Sequence, residues 1–159
     1  MDTQPPLLDD VLSVIKKHPL GSLATVSPDG QPRSAFVYVA ADESLALYFM
    51  TRANTKKYKH ITKNPRVAIS IAEEEGYETI QAEGVAHEEL SAEKQAWIID
   101  QIFRNAALHP TWQLPIDQME SSGYVCIRVD LTWLRLGRFH KDSGEHMFEQ
   151  IIPQEARKQ

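Results

Sequence analysis

Residues 20–51 read LGSLATVSPDGQPRSAFVYVAADESLALYFMT, three strand-like runs separated by turn residues. Ser27-Pro28-Asp29-Gly30 is a strong turn signal. Proline presets φ for a turn, aspartate bonds back to its own backbone, and glycine tolerates a positive φ. Ala41-Asp42-Glu43-Ser44 is a weaker signal of the same kind. Apolar and β-branched runs joined this tightly predict an antiparallel meander. A meander must then curl or find a partner layer to bury its apolar face.

The rest of the chain supplies more strands. They are expected at 66–72, 78–87, 124–129, 133–140 and 146–152, the last entered through an Asp142-Ser143-Gly144 turn. Three helices are expected around them. In the first, Leu7, Leu8, Val11, Leu12, Val14 and Ile15 recur at helical spacing, and Pro19 ends it. Asp9 and Asp10 in its first turn suit the helix dipole. The second spans 54–63 and closes at Asn64-Pro65; the third is capped by Ser91, runs to about 107 and carries Trp97, Ile98, Ile102 and Phe103 as its apolar stripe. Glu73-Glu74-Glu75-Gly76 reads as a solvated loop, and the segment with His109-Pro110 and Leu114-Pro115 is looser. Six to eight antiparallel strands with peripheral helices make a mainly β, α+β chain, best closed as a barrel, which removes exposed sheet edges. The expected organisation is one domain over 1–153 and a polar tail at 154–159.

Composition narrows the function classes. The formal net charge of −5 argues against a duplex-binding role, which needs a basic face for phosphates. The single cysteine, Cys126, excludes an intramolecular disulfide and reads as a small buried hydrophobe. The acidic, proline-containing start lacks the pattern of a secretion signal, and no apolar run reaches the ~18 residues of a membrane span. A cytoplasmic location is the expectation, with no membrane or nucleic-acid partner. There is no GxGxxG, no GxxxxGK[ST] and no HExxH. His140 and His146 flank a turn without metal-ligand spacing.

Chemistry concentrates in Thr51-Arg52-Ala53-Asn54-Thr55-Lys56-Lys57-Tyr58-Lys59-His60. Two lysines in the first turn of a helix oppose the positive end of its dipole, each by roughly 0.3–1 kcal/mol. A bound anion would offset this, because free N–H groups at a helix start already suit a phosphate. Thr51 and Thr55 add hydroxyls, and Lys56 and Lys57 add charge-assisted bonds. A solvated basic helix is the alternative reading of the same residues.

The stretch LATVSPDGQPRSAFVYVAADESLALYFMTRANTKKYKHITKNPRVAISI, with its ordered DGQP, FVYV, YFMT, TKK and NPRV elements, resembles the pyridoxamine 5′-phosphate oxidase-like, FMN-binding split-barrel family. IQAEGVAHE is similar to the family's next barrel strand, and DLTWLRLGRFHKDSGEHMFEQIIP to its closing hairpin. The resemblance implies an FMN-binding split β-barrel and a homodimeric, FMN-dependent oxidoreductase acting on a small molecule. It assigns the FMN phosphate to Thr55, Lys56 and Lys57, with Thr51 close by. It places Phe36, Val37, Tyr38 and Met50 along the flavin ring and ribityl chain. Gln81 falls near the ring edge and Trp133 beside the cofactor across the subunit interface. By alternation alone, Phe36, Val37 and Tyr38 would be plain barrel core, and Trp133 a core aromatic.

The chain also departs from the oxidases. Ala35 and Ala40 stand where the resemblance expects an arginine serving FMN and a lysine serving the substrate phosphate. Arg33, two residues before Ala35 on the same strand face, is the candidate replacement. Arg138-Phe139-His140 resembles an Arg-x-His substrate element, which makes Arg138 and His140 the catalytic candidates. Its interval from Trp133 is one residue short, and Asp142 replaces a further arginine. The resemblance thus implies a retained flavin site and an altered vitamin-B6 site. The alternative is a non-catalytic split barrel that binds flavin, deazaflavin or haem.

Overall fold

The computed structural model describes residues 6–73, 77–108 and 123–151. The loop at 74–76, the looser segment at 109–122, residue 152 and the tail at 154–159 lie outside the described residues. In chain order the elements are α1 (Pro6–Lys17), β1 (Leu20–Val26), β2 (Pro32–Tyr38), β3 (Ala40–Ala41), β4 (Leu47–Arg52), α2 (Lys56–Lys63), β5 (Arg66–Glu73), β6 (Glu78–Glu88), α3 (Ala92–Ala107), β7 (Tyr124–Phe139) and β8 (His146–Ile151). The strands form one antiparallel sheet in the order β2-β1-β5-β6-β7-β4-β3, with β8 added on β7. It curls into a half-barrel with the three helices at its periphery, the expected split-barrel architecture.

Strand periodicity builds the interior. Leu23 of β1, Val37 of β2, Phe49 of β4, Ile69 and Ile71 of β5, Ile80 of β6 and Ile127 of β7 join one buried cluster. Helix α1 closes it with Leu8, Val11, Val14 and Ile15, the stripe read from the sequence. A second apolar cluster lies on the other side of the sheet. There Ile98, Ile102 and Ala106 of α3 cover Tyr38, Ala40, Ala46, Tyr48 and Cys126. Cys126 is buried, and burial pushes its thiol up to about 11, so it behaves as a hydrophobe.

The turns follow their residues. Gly30 takes φ +85° in the β1–β2 hairpin, where its N–H donates to the Ser27 carbonyl at 2.9 Å. At the β3–β4 turn Leu45 holds φ 59°, an unfavourable value for a branched side chain. The Asp42 carboxylate stabilises that turn by accepting from the Ser44 N–H at 3.0 Å and the Ala46 N–H at 3.1 Å.

One expectation is corrected. Residues 124–129 and 133–140 are not two strands but parts of the continuous β7. One edge of β7 pairs with β6 along its length, while the other takes β4 at 124–129 and β8 at 134–139. The register slips once, between Glu83 and Gly84, which face Trp133 and Leu131. Thr132 is therefore an extra, bulged residue. Leu131 and Leu134 are both buried in the barrel core, so the bulge shifts the alternation by one. It sends Trp133 and Arg135 to the outer face. Gly84 sits at the slip because a Cβ there would lie 2.6 Å from the Asp130 carbonyl oxygen.

Candidate functional site

Between β2, β4, the N-terminus of α2 and α3 lies an open cleft of about 260 Å³. Its polar end is built by the short connection from β4 to α2. Thr55 is the N-cap of α2, and its hydroxyl oxygen accepts from the Tyr58 N–H at 3.3 Å. The same hydroxyl donates to the Arg52 carbonyl at 2.8 Å and lies 2.9 Å from the Thr51 hydroxyl. These contacts fix both threonines beside the first free N–H groups of α2. Lys57 reaches into the cleft from the first turn of that helix.

Electrostatics at this end favour an anion. Arg52 and Lys57 line the cleft, and among the described residues its lining includes no carboxylate. Among the described residues no acid pairs with Lys57, and burial pulls its pKa below the ordinary lysine value. The α2 first turn contains no acidic residue. An anion placed here would meet the Lys57 ammonium, two hydroxyls and the positive end of a helix dipole. The opposite end is apolar. Phe36, Tyr38, Met50 and Ile102 line it, with Tyr38 and Ile102 buried.

The structure distributes the sequence candidates over several places. Phe36, Val37, Tyr38, Met50, Thr51, Thr55 and Lys57 converge on the cleft. The Val37 side chain belongs to the barrel core, and Phe36 is 63% exposed at the rim. Lys56 is exposed and outside the lining, because successive helical residues point about a quarter-turn apart. Arg33 is exposed near the hairpin end of β2, also away from the cleft.

Gln81 and Trp133 lie elsewhere, on the outer face of the sheet. They share a depression of about 300 Å³ with Ser22, Ala24, Ala68 and Ser70. The Gln81 amide oxygen accepts from Arg135 Nε at 3.1 Å and from Nη2 of the same side chain. The Arg135 guanidinium stacks over Trp133 at 5.7 Å and Phe148 at 4.6 Å. Phe36 joins the two regions, because it also lines a hollow on that face with Ser22 and Ser70.

Arg138 and His140 reach neither region. Arg138 is ringed by carboxylates of three elements: Asp10 at 2.9 Å, Glu78 at 3.5 Å and Glu149 at 3.9 Å. His140 is exposed, and its backbone closes the turn before β8 through a bond from Gly144 N–H at 2.9 Å. Two cleft residues escaped the sequence reading, Ile102 and Tyr124. Tyr124 stands opposite Arg52, whose guanidinium lies 5.2 Å from its ring. Only the pairing of β7 with β4 brings Tyr124 there, and no local signal announces it. Among the described residues no histidine lines the cleft. Among the described residues no group of three or more His, Cys, Asp or Glu could hold a metal ion, and no helix is long and apolar enough to cross a membrane.

A family model described as pyridoxamine 5′-phosphate oxidase matches residues 7–136, from α1 into β7. The chain belongs to this family. No curated protein matches the sequence. Solved structures place this family member among split barrels of several cofactor types. A pyridoxamine 5′-phosphate oxidase-related, FMN-binding protein from Nostoc punctiforme is 15% identical, with TM-score 0.58 over 94% of this chain and 98% of that one. An F420 reductase is 27% identical, with TM-score 0.60 over 77% and 93%. A haem-binding protein from Mycobacterium smegmatis is 16% identical, with TM-score 0.68 over 96% of this chain and 60% of that one.

Proposed function

We propose that the protein binds FMN in the cleft and works as an FMN-dependent oxidoreductase on a small molecule. The observation that carries this reading is the polar end of the cleft: a half-buried lysine, two clasped threonine hydroxyls and a helix start, with no acid beside them among the described residues. That donor set fits a phosphate monoester. Thr51, Thr55 and Lys57 would hold the phosphate. The β2 backbone at 36–38 would flank the ring, and Tyr38 and Ile102 would exclude water behind it. Bound flavin supplies hydride and electron transfer, and the protein supplies position and surroundings.

The reading includes a homodimer. Gln81, Trp133 and Arg135 share an outer face floored by small residues, and Phe36 connects that face to the cleft. A second copy laid on this face would bring its own Gln81 and Trp133 toward the first copy's cleft.

The cleft favours a flavin-type ligand over haem, because among the described residues no histidine lines it to serve as an axial ligand. The test is an absorbance titration of the purified protein with FMN. A saturable shift of the flavin bands, with one FMN per chain, is expected. Bleaching of those bands by a nicotinamide donor, and their return with an electron acceptor, would support the enzymatic part. No shift on titration would remove FMN from the assignment, and a haem-like band would replace it.

A further inference from the structure

A second and larger cavity, of about 530 Å³, opens where α1, the β3–β4 turn and α3 meet. It shares no lining residue with the FMN cleft. Its volume lies within the usual range of small-molecule sites. We propose that this cavity is a ligand site of its own, for a small planar aromatic carboxylate that carries an N–H or O–H donor. The inference does not rest on the flavin reading.

The shape argues for a flat ring. Ala40 and Ala41 line the cavity from the sheet with the smallest side chains. Leu12 and Ile15 of α1 contribute apolar surface, and the half-buried Trp97 of α3 contributes an aromatic one. The Trp97 ring is held at 5.5 Å and 77° to that of Tyr48. A planar ligand fits a slot bounded by methyl groups, aliphatic chains and an indole.

The charges argue for a carboxylate. Among the described residues two carboxylates line the cavity, but Glu43 is exposed to solvent and the Asp42 oxygens are already engaged. They accept from Ser44, Ala46, the Tyr48 hydroxyl at 2.6 Å and the Lys94 ammonium at 2.9 Å. Burial alone would raise the Asp42 pKa, yet these donors hold it well below the usual carboxylate range. Asp42 therefore stays ionised and offers a ligand little further acceptor capacity. Lys94 is different. It gives one N–H to Asp42, its ammonium lies 4.3 Å from the Trp97 ring centroid, and two N–H donors remain. Lys16 adds a second cation from the last turn of α1.

The third element is Asn105. Its side chain lines the cavity and is 8% exposed. Its Nδ2 donates to the Val39 carbonyl at 3.1 Å, which aligns the amide. Among the described residues no donor reaches its Oδ1. A buried acceptor without a donor is costly and calls for a partner. An amino or hydroxyl group on the ligand ring supplies one, while the carboxylate reaches Lys94 and Lys16.

The test uses the full-length protein with 2-aminobenzoate as the probe, followed by calorimetry and by the Trp97 indole N–H resonance. Saturable binding of one probe per chain, with a shift of that resonance, is expected. Lys94→Met should weaken binding about tenfold or more. Gln101→Trp, at a half-exposed position on the cavity wall, should block binding while thermal melting and FMN titration stay unchanged. It keeps the test decisive if Lys94→Met fails to fold. The proposal is overturned if the probe does not saturate at low millimolar concentration. It is equally overturned if Gln101→Trp binds the probe as the wild type does, or if FMN competes for the same site.

Discussion

Lys56 and Lys57 follow one another at the start of α2, yet only Lys57 turns into the cleft. Lys57→Ala is therefore expected to weaken FMN by about 1.5–3 kcal/mol, the worth of a hydrogen bond to a charged group. Lys56→Ala should change affinity by less than about 0.5 kcal/mol, as exposed surface changes do. Calorimetric titration of the two variants decides between them. Burial lowers the Lys57 pKa, and that predicts a pH dependence. The phosphate needs the protonated ammonium. Affinity should fall as pH rises through the lowered value, before the ordinary lysine pKa of about 10.4 is reached. Lys57→Arg should carry tight binding to higher pH, since guanidinium keeps its proton. An alkaline limit that Lys57→Arg leaves in place would assign the titration to another group. That Thr51, Thr55 and Lys57 gather at the start of α2 was legible because they lie close together in sequence, while the outward turn of Lys56 was not read. Tyr124 and Ile102 were not legible, because they join the cleft from β7 and α3 through long-range packing.

Short elements depend on a few polar anchors, and the β3–β4 turn shows this. Asp42 secures the turn and fastens it to α3 through Lys94. Asp42→Asn is expected to cost on the order of 2–3 kcal/mol at neutral pH, measured by denaturant unfolding. The pH window follows from the sign of the shift. The folded-state pKa is depressed, so the stabilisation is present above the unfolded value of about 3.9 and is lost as pH falls through the folded one. The gap between wild type and variant should narrow below about pH 4. A gap that stays constant into acid would mean that charge is not the source. From sequence this turn was a weak signal, because the partner that gives Asp42 its weight lies 52 residues away. Helix boundaries were easier to read. Ser91, Pro19 and Asn64-Pro65 act locally, and the helices begin or end beside them, although α2 starts at Lys56 rather than Asn54. The division of β7 into two strands failed for the opposite reason. Asp130-Leu131-Thr132 looks like a break, but pairing with β6 carries the chain through it.

Across the whole molecule, the candidate residues that gather into hollows do so on two surfaces, with Arg33, Lys56, Arg138 and His140 outside both. The polar end of the cleft faces one way, and Gln81 and Trp133 lie on the outer sheet face. The rim residue Phe36, 63% exposed, is where the proposed dimer would be most sensitive. Phe36→Glu is expected to shift the protein from dimer to monomer in sedimentation velocity, with FMN affinity falling alongside. A variant that stays dimeric and keeps its FMN would place the interface elsewhere. The fold itself was legible, because strand alternation and turn chemistry are repeated along most of the chain. The relation between the two surfaces was not, because no spacing within one chain encodes how a second copy sits on it.

The bulge at Thr132 has a consequence for how this chain can diverge. Side chains on a strand have two settings, inward and outward, and the extra residue works like a frameshift between them. Upstream of it, odd-numbered residues such as Ile127 and Val129 face the core; downstream, the even-numbered Leu134 and Leu136 do. Point changes in this stretch each alter one side chain. Gain of a single residue beside Thr132, with the bulge kept, would instead turn Trp133 and Arg135 inward and expose Leu134 and Leu136 together, whereas loss of Thr132 itself would only straighten the strand. Descendants of this sequence are thus freer to vary its letters here than to lengthen it.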